Sequence, residues 1–188
     1  FASVSAGDST SCGLTVGGRA YCWGNNIRGM IGNGSTGNRD MPALVTTAQT
    51  FTSITAGGEH ACGLATGGLA YCWGADSLGQ LGDARQVNST TPIPVSGGGG
   101  TAVFASISAG FRHTCALTAA GSAFCWGNND RGQLGAGTSG GVGMGTSVRG
   151  SQLWLVAGDE ITATIDKIGT LRHKVEAAPP PPPGTGSY

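Results

Sequence analysis

The chain has 188 residues, enough for one or two domains with a genuine apolar core. Charged residues make up only 11%, and ten Lys and Arg balance ten Asp and Glu, so no basic stripe exists to attract phosphate and nucleic acid is not an expected partner. No apolar run approaches the roughly 18–20 residues of a membrane span, and the 36 glycines fall beside regularly placed Trp, Cys and Leu, a pattern of repeats rather than of a disordered chain.

The first unit starts at Phe1 and reads FASVSAGDSTSCGLTVGGRAYCWGNNIRGMIGNG. A short β-prone run ends at Ala6-Gly7. A second run carries Cys12 and Leu14, a glycine turn follows, and Tyr21-Cys22-Trp23-Gly24 opens a polar loop. The plan recurs from Phe51 (FTSITAGGEHACGLATGGLAYCWGADSLGQLGDA) and from Phe104 (FASISAGFRHTCALTAAGSAFCWGNNDRGQLGAG), at spacings of 50 and 53 residues. Such a period belongs to propellers and solenoids. Repeats therefore fall at 1–50, 51–103 and 104–138, the last truncated. The variable pieces 33–50 and 83–103 read as inter-strand loops, with 96–101 (SGGGGT) the most flexible stretch.

The cysteines test the hairpin in each unit. A three-residue loop needs a left-handed third residue, and this is Gly18, Gly68 or Gly121, glycine every time. Counting outward from each loop sets Cys12 opposite Cys22, Cys62 opposite Cys72 and Cys115 opposite Cys125. Opposed residues have Cβ atoms about 4.5–5.5 Å apart, close to disulfide distance. Six reduced, buried cysteines are the alternative. A zinc site fits poorly, because the Cys-x9-Cys spacing is no knuckle and the chain holds only three histidines. Paired disulfides imply an oxidising compartment, hence an extracellular or cell-surface protein.

The pattern Ala-Gly-x-x-His-x-Cys-x-Leu, then Tyr/Phe-Cys-Trp-Gly-x-Asn/Asp-x-x-Gly-Gln-Leu-Gly, resembles the regulator of chromosome condensation repeat over residues 1–138. The resemblance implies β-propeller blades of four antiparallel strands and a protein-binding role, with the cysteine-paired repeats closest to the family's extracellular bacterial members. The first repeat departs from the pattern at Ser9-Thr10 and Met30-Ile31, as an end blade with different neighbours would.

Residues 137–176 (GTSGGVGMGTSVRGSQLWLVAGDEITATIDKIGTLRHKVE) are similar to the C-terminal segment of the fumarylacetoacetate hydrolase family, with Ser139 in place of its usual proline. Gly137-Thr138 serves both motifs. From the residues alone, 139–178 is a β segment: Ile161, Ala163 and Ile165 alternate with polar residues, and Asp166-Lys167 can turn the chain into 168–175. Residues 179–183 are five prolines, a stiff start to the tail 179–188. The expected fold class is therefore all-β: three propeller-type blades, a C-terminal β segment and a Pro-rich tail.

Catalysis is not expected. The carboxylates that hold the hydrolase family's metal lie upstream of the matched segment and have no counterpart here, so Asp159, Glu160, Thr138 and the glycines at 140–143 read as ordinary loop and strand residues, with no metal and no cofactor. His60 and His113 share a repeat position and suit hydrogen bonding to neighbouring backbone; His173 stands alone. Trp23, Trp73 and Trp126 suit packing within or between blades. Arg28 and Arg131 lie on polar loops. Asn33 and Asn88 begin glycosylation sequons.

The expected function is a non-catalytic, secreted binding or structural module; the alternative is an enzyme fragment or fusion related to the hydrolases. Three blades leave both end faces open, so a homo-oligomer is expected. Two copies could share one ring, or the C-terminal strands could dock on a neighbour and give a fibre. Capping of the third blade within the same chain would leave a monomer.

Overall fold

A computed structural model describes residues 1–96, 102–135, 142–143, 160–165 and 169–174. Every element among them is a β-strand, and there is no helix long and apolar enough to cross a membrane. The glycines at 97–100, the Gly137-Thr138 join, Ser139 to Gly141, Asp159 and the proline tail lie outside the described residues.

The first blade is the sheet β1 (Ser3–Ala6), β2 (Thr10–Leu14), β3 (Ala20–Gly24) and β4 (Arg39–Leu44), in that order. The second is β5 (Phe51–Ala56), β6 (His60–Ala65), β7 (Ala70–Gly74) and β8 (Ser89–Pro94). The third is β9 (Ser106–Ala109), β10 (His113–Leu117), β11 (Ala123–Asn128) and β12 (Val142–Gly143). Each is an antiparallel meander, so the third blade takes its fourth strand from residues beyond 138. These blades fall in a compact unit, Phe1–Gln152. Within the other unit, Leu153–Tyr188, β13 (Glu160–Ile165) and β14 (Gly169–Lys174) pair as a hairpin with Ile165 opposite Gly169.

Two elements correct the sequence reading. β4 and β8 lie inside segments expected to be loops. Both carry proline, at Pro42 and Pro92–Pro94, and both are outer strands whose pairing with β3 and β7 shifts register between Cys22 and Gly24 and between Cys72 and Gly74. Proline is tolerated there because an edge strand at a bulge does not need every N–H. The same prolines removed the alternation that marks a strand in sequence.

The core lies between blades rather than within them. One cluster joins Leu14, Cys22 and Ile31 of the first blade to Phe51, Ala61 and Trp73 of the second. Another joins Leu64, Cys72 and Leu81 to Phe104, Ala116 and Trp126. The middle blade is covered on both sides, so all six residues of β6 are buried, whereas β10 alternates between buried and half-exposed positions. Within each blade the leading Phe packs against the Trp of the third strand, with ring centroids 6.0 Å apart for Phe1–Trp23, 6.0 Å for Phe51–Trp73 and 6.3 Å for Phe104–Trp126.

Candidate functional site

The β2–β3 hairpin and its equivalents set the register of each blade. Gly18, Gly68 and Gly121 have φ of 76°, 83° and 83°, the left-handed conformation the turn requires. Cys12 then faces Cys22, Cys62 faces Cys72 and Cys115 faces Cys125, each pair with Cα atoms 4.1 Å apart and joined as a disulfide. The same turns help dock the next blade: Phe51 N donates to Gly18 O and Phe104 N to Gly68 O, both at 2.8 Å.

The Gly-x-x-Gly loop after the third strand of each of the first two blades meets the following blade. Trp73 Nε1 donates to Met30 O at 2.8 Å, and Trp126 Nε1 to Gln80 O at 2.9 Å. The tryptophans are thus inter-blade anchors, with Trp73 fully buried and Trp126 nearly so. Gly32 and Gly82 make this approach possible. A Cβ on Gly82 would lie 2.8 Å from Trp126 Nε1, and both glycines have positive φ. Beside these bonds, Ala56 N donates to Ser5 Oγ at 3.0 Å and Ala109 N to Thr55 Oγ1 at 3.1 Å.

His60 is buried, and its Nε2 lies 2.7 Å from Thr114 Oγ1 of the third blade, a side-chain hydroxyl rather than the backbone group expected. That hydroxyl donates its own proton to Gln80 O at 3.0 Å. It must therefore accept from His60, which fixes the neutral tautomer with the proton on Nε2 and leaves Nδ1 without a partner. Burial, aided by the charge of His113, pushes the His60 pKa down to about 3. This residue is a structural donor, not a base poised for catalysis. His113, at the equivalent position, is half-buried. His173 lies in β14, where only the backbone is described.

Sequence reasoning passed over Asp76. Its equivalent in the first blade, Asn26, is buried and donates from Nδ2 to Ser35 O at 2.9 Å and Gly37 O at 3.0 Å, while Asn26 Oδ1 accepts Ile31 N. Asp76 keeps the acceptor role, taking Leu81 N at 2.8 Å, but Oδ2 has no donor of its own and is left buried without a partner. Burial, together with the neighbouring Asp83 carboxyl, pushes the Asp76 pKa up to about 7. The substitution of Asp for Asn at one repeat position was the only available signal.

The β1–β2 turn and the β3–β4 loop leave the first blade at the same end, as do their equivalents in the second, and make a loop face. Its centre is Glu59, which takes Arg28 Nε of the first blade at 3.4 Å and Arg112 Nε of the third at 3.1 Å. Arg112 also lies 5.3 Å over the ring of the exposed Phe111. Ile27 is exposed on the same end. The pairs are partly solvated and each contributes about 0–1 kcal/mol, so they order the face rather than hold the fold. Arg131, at the position of Arg28, is exposed. The sequon residues sit at the bases of these loops: Asn33 Oδ1 accepts Ser35 N, and Asn88 Oδ1 accepts Asp76 N at 2.9 Å. Among the described residues no group of three or more His, Cys, Asp or Glu is placed to hold a metal.

A family model described as the regulator of chromosome condensation (RCC1) repeat matches residues 1–29, 51–80 and 104–133, and a second model of that repeat matches 17–64 and 67–117. The fold is similar to that of human WBSCR16, at 20% identity and a TM-score of 0.62 over 68% of this chain and 33% of that one. It is also similar to Prp20p from Saccharomyces cerevisiae, at 21% identity and a TM-score of 0.64 over 77% of this chain and 36% of that one. A structure of the same yeast protein bound to Kap60 matches at 20% identity and a TM-score of 0.64, again over 77% and 36%. The chain thus spans about a third of the length of these proteins.

Proposed function

The chain belongs to the regulator of chromosome condensation repeat family, and from that premise we propose that it is a non-catalytic protein-binding and structural module of the extracellular space or cell surface that also associates with itself. One contrast between its repeats carries this reading. The residues that build the blades recur in all three units and are engaged in turns, disulfides and inter-blade bonds. At the loop-face positions the repeats diverge: Ile27-Arg28, Ser77-Leu78 and Asp130-Arg131 are equivalents. A constant scaffold beneath variable, solvent-facing loops is the arrangement of a recognition surface. Phe111 and Arg112, an exposed aromatic beside an arginine already positioned by Glu59, have the chemistry of an interface anchor. The related yeast protein was crystallised with the protein Kap60, and its binding to Gsp1p and histones was examined; those partners are its own.

The extracellular assignment rests on three disulfides and no free cysteine. Self-association rests on the poorly defended edge strand of the first blade, β1 (Ser3–Ala6), which carries no charged side chain. The test is paired. Disulfide-intact protein should retain a protein ligand that a Phe111→Ser, Arg112→Ser variant of unchanged melting temperature does not retain. The reading is overturned if that variant retains it equally, or if the chain turns over acylpyruvate-type substrates with magnesium or manganese and loses that activity on chelation.

A further inference from the structure

One loop pocket is built in both the first and the second blade, and filled differently in each. In the first, the β3–β4 loop wraps the buried Asn26, whose amide nitrogen stands among oxygens: Ser35 O at 2.9 Å, Gly37 O at 3.0 Å, Asn33 Oδ1 at 3.4 Å and Ser35 Oγ at 3.5 Å. The pocket is an oxygen cradle with a hydrogen-bond donor at its centre. The β7–β8 loop keeps the frame. Leu81 N donates to Asp76 Oδ1 as Ile31 N does to Asn26 Oδ1, and Asn88 Oδ1 accepts Asp76 N as Asn38 Oδ1 accepts Asn26 N, both at 2.9 Å.

The donor is what changes. Asp76 stands in place of Asn26 and Asp83 in place of Asn33, so the central nitrogen is now an oxygen and its neighbour is a second carboxyl. Asp76 is fully buried, and its Oδ2 has no partner. The groups around it do not answer that oxygen. Leu81 N is spent on Oδ1, and Val87 N approaches the carboxyl without bonding Oδ2. The Arg85 guanidinium reaches Asp83 instead, Nε to Oδ2 at 3.8 Å, from a side chain that is 78% exposed. A buried carboxylate oxygen left in this state is strongly disfavoured unless a cation or a donor meets it.

The ligands this loop can offer are all oxygen. Residues 75–88 contain neither cysteine nor histidine, and the positions of Ser35 and Gly37, whose carbonyls converge on the Asn26 amide, are taken by Arg85 and Val87. Two carboxylates in an irregular loop suit calcium, which takes about six to eight oxygens in flexible geometry, better than zinc or the strictly octahedral magnesium.

We propose that the β7–β8 loop of the second blade is a calcium site, in which Asp76 Oδ2 and the Asp83 carboxylate hold the ion where the first blade holds the Asn26 amide, with loop carbonyls and water completing the shell. With only two charged ligands, the affinity falls in the range of about 0.1–1 mM. The site is independent of the partner-binding reading above.

The experiment uses the full chain with its native disulfides at pH 8, first in calcium-free buffer and then with about 10 mM calcium chloride or magnesium chloride at matched ionic strength. Calcium should raise the melting temperature by about 3–6 °C, and magnesium by clearly less. Calorimetry with calcium chloride should show saturable binding. Asp76→Asn and Asp83→Asn install the residues the first blade carries at these positions, so both chains should fold, and each should lose the calcium shift. In calcium-free buffer Asp76→Asn is itself stabilising; its insensitivity to calcium, not its basal stability, is the readout. Asp40→Asn, at an exposed carboxyl of β4, should leave the shift intact. A wild-type chain with neither shift nor saturable binding overturns the proposal, as does a shift that survives Asp76→Asn or that magnesium reproduces in full.

Discussion

Thr114 Oγ1 receives the proton of His60 Nε2 at 2.7 Å and passes its own to Gln80 O at 3.0 Å, so a single hydroxyl joins the second strand of one blade to the loop of the same blade from across the junction. Thr114→Val would keep the shape and leave a buried imidazole N–H unpaired. The expected cost is about 1–3 kcal/mol, read from the urea unfolding midpoint at pH 7 with disulfides intact.

His60 also sets an acid limit. Its folded-state pKa, about 3, lies below the ordinary histidine value of 6.5, so above pH 6.5 both states are neutral and its contribution is complete. As pH falls from 6.5 towards 3 the unfolded chain takes up a proton that the fold refuses, and stability should drop by roughly 1 kcal/mol per pH unit. His60→Gln, which retains a donor towards Thr114, should flatten that slope. Unfolding midpoints from pH 4 to 7 decide it.

Asp76 acts in the opposite direction. Its pKa rises from 3.8 to about 7 on folding, so its protonated form suits the fold, and stability should be lost as pH rises from about 4 through 7. Asp76→Asn would supply the amide donor found at Asn26. It should stabilise the protein at pH 8, by about 1–3 kcal/mol, and much less at pH 4. Equal effects at both values would show that the Asp76 carboxyl is not the titrating group.

Gly82→Ala would place a Cβ 2.8 Å from Trp126 Nε1 at a residue with φ of 70°. Both strain and the loss of the bond to Gln80 O oppose it. A destabilisation of about 2–3 kcal/mol is expected, with a red-shifted tryptophan emission as the indole meets water.

What could be read from the sequence was what is local. The hairpin register needed only the glycine turn and a ten-residue spacing between cysteines, both visible in one unit. The blade junctions were hidden because the partners lie far apart: Trp73 and Met30 are 43 residues apart, His60 and Thr114 are 54. A histidine before a cysteine in sequence does not reveal which blade it faces. β4 and β8 were missed for a different reason, since proline and a bulge erase the period-two pattern on which strand recognition depends. Asp76 was missed because an acid in a polar loop is ordinarily solvated, and only the packing of the loop shows that it is not.

Each disulfide closes within one hairpin, between residues ten apart, and none crosses from one blade to another. Under oxidising conditions a repeat can therefore be stapled as soon as its own second hairpin strand is available, before the next repeat has folded. The correct partner is always the nearest thiol in the chain, so wrong pairings are disfavoured by loop closure. The blades can be stapled one after another in order of emergence, leaving only their docking to be completed afterwards.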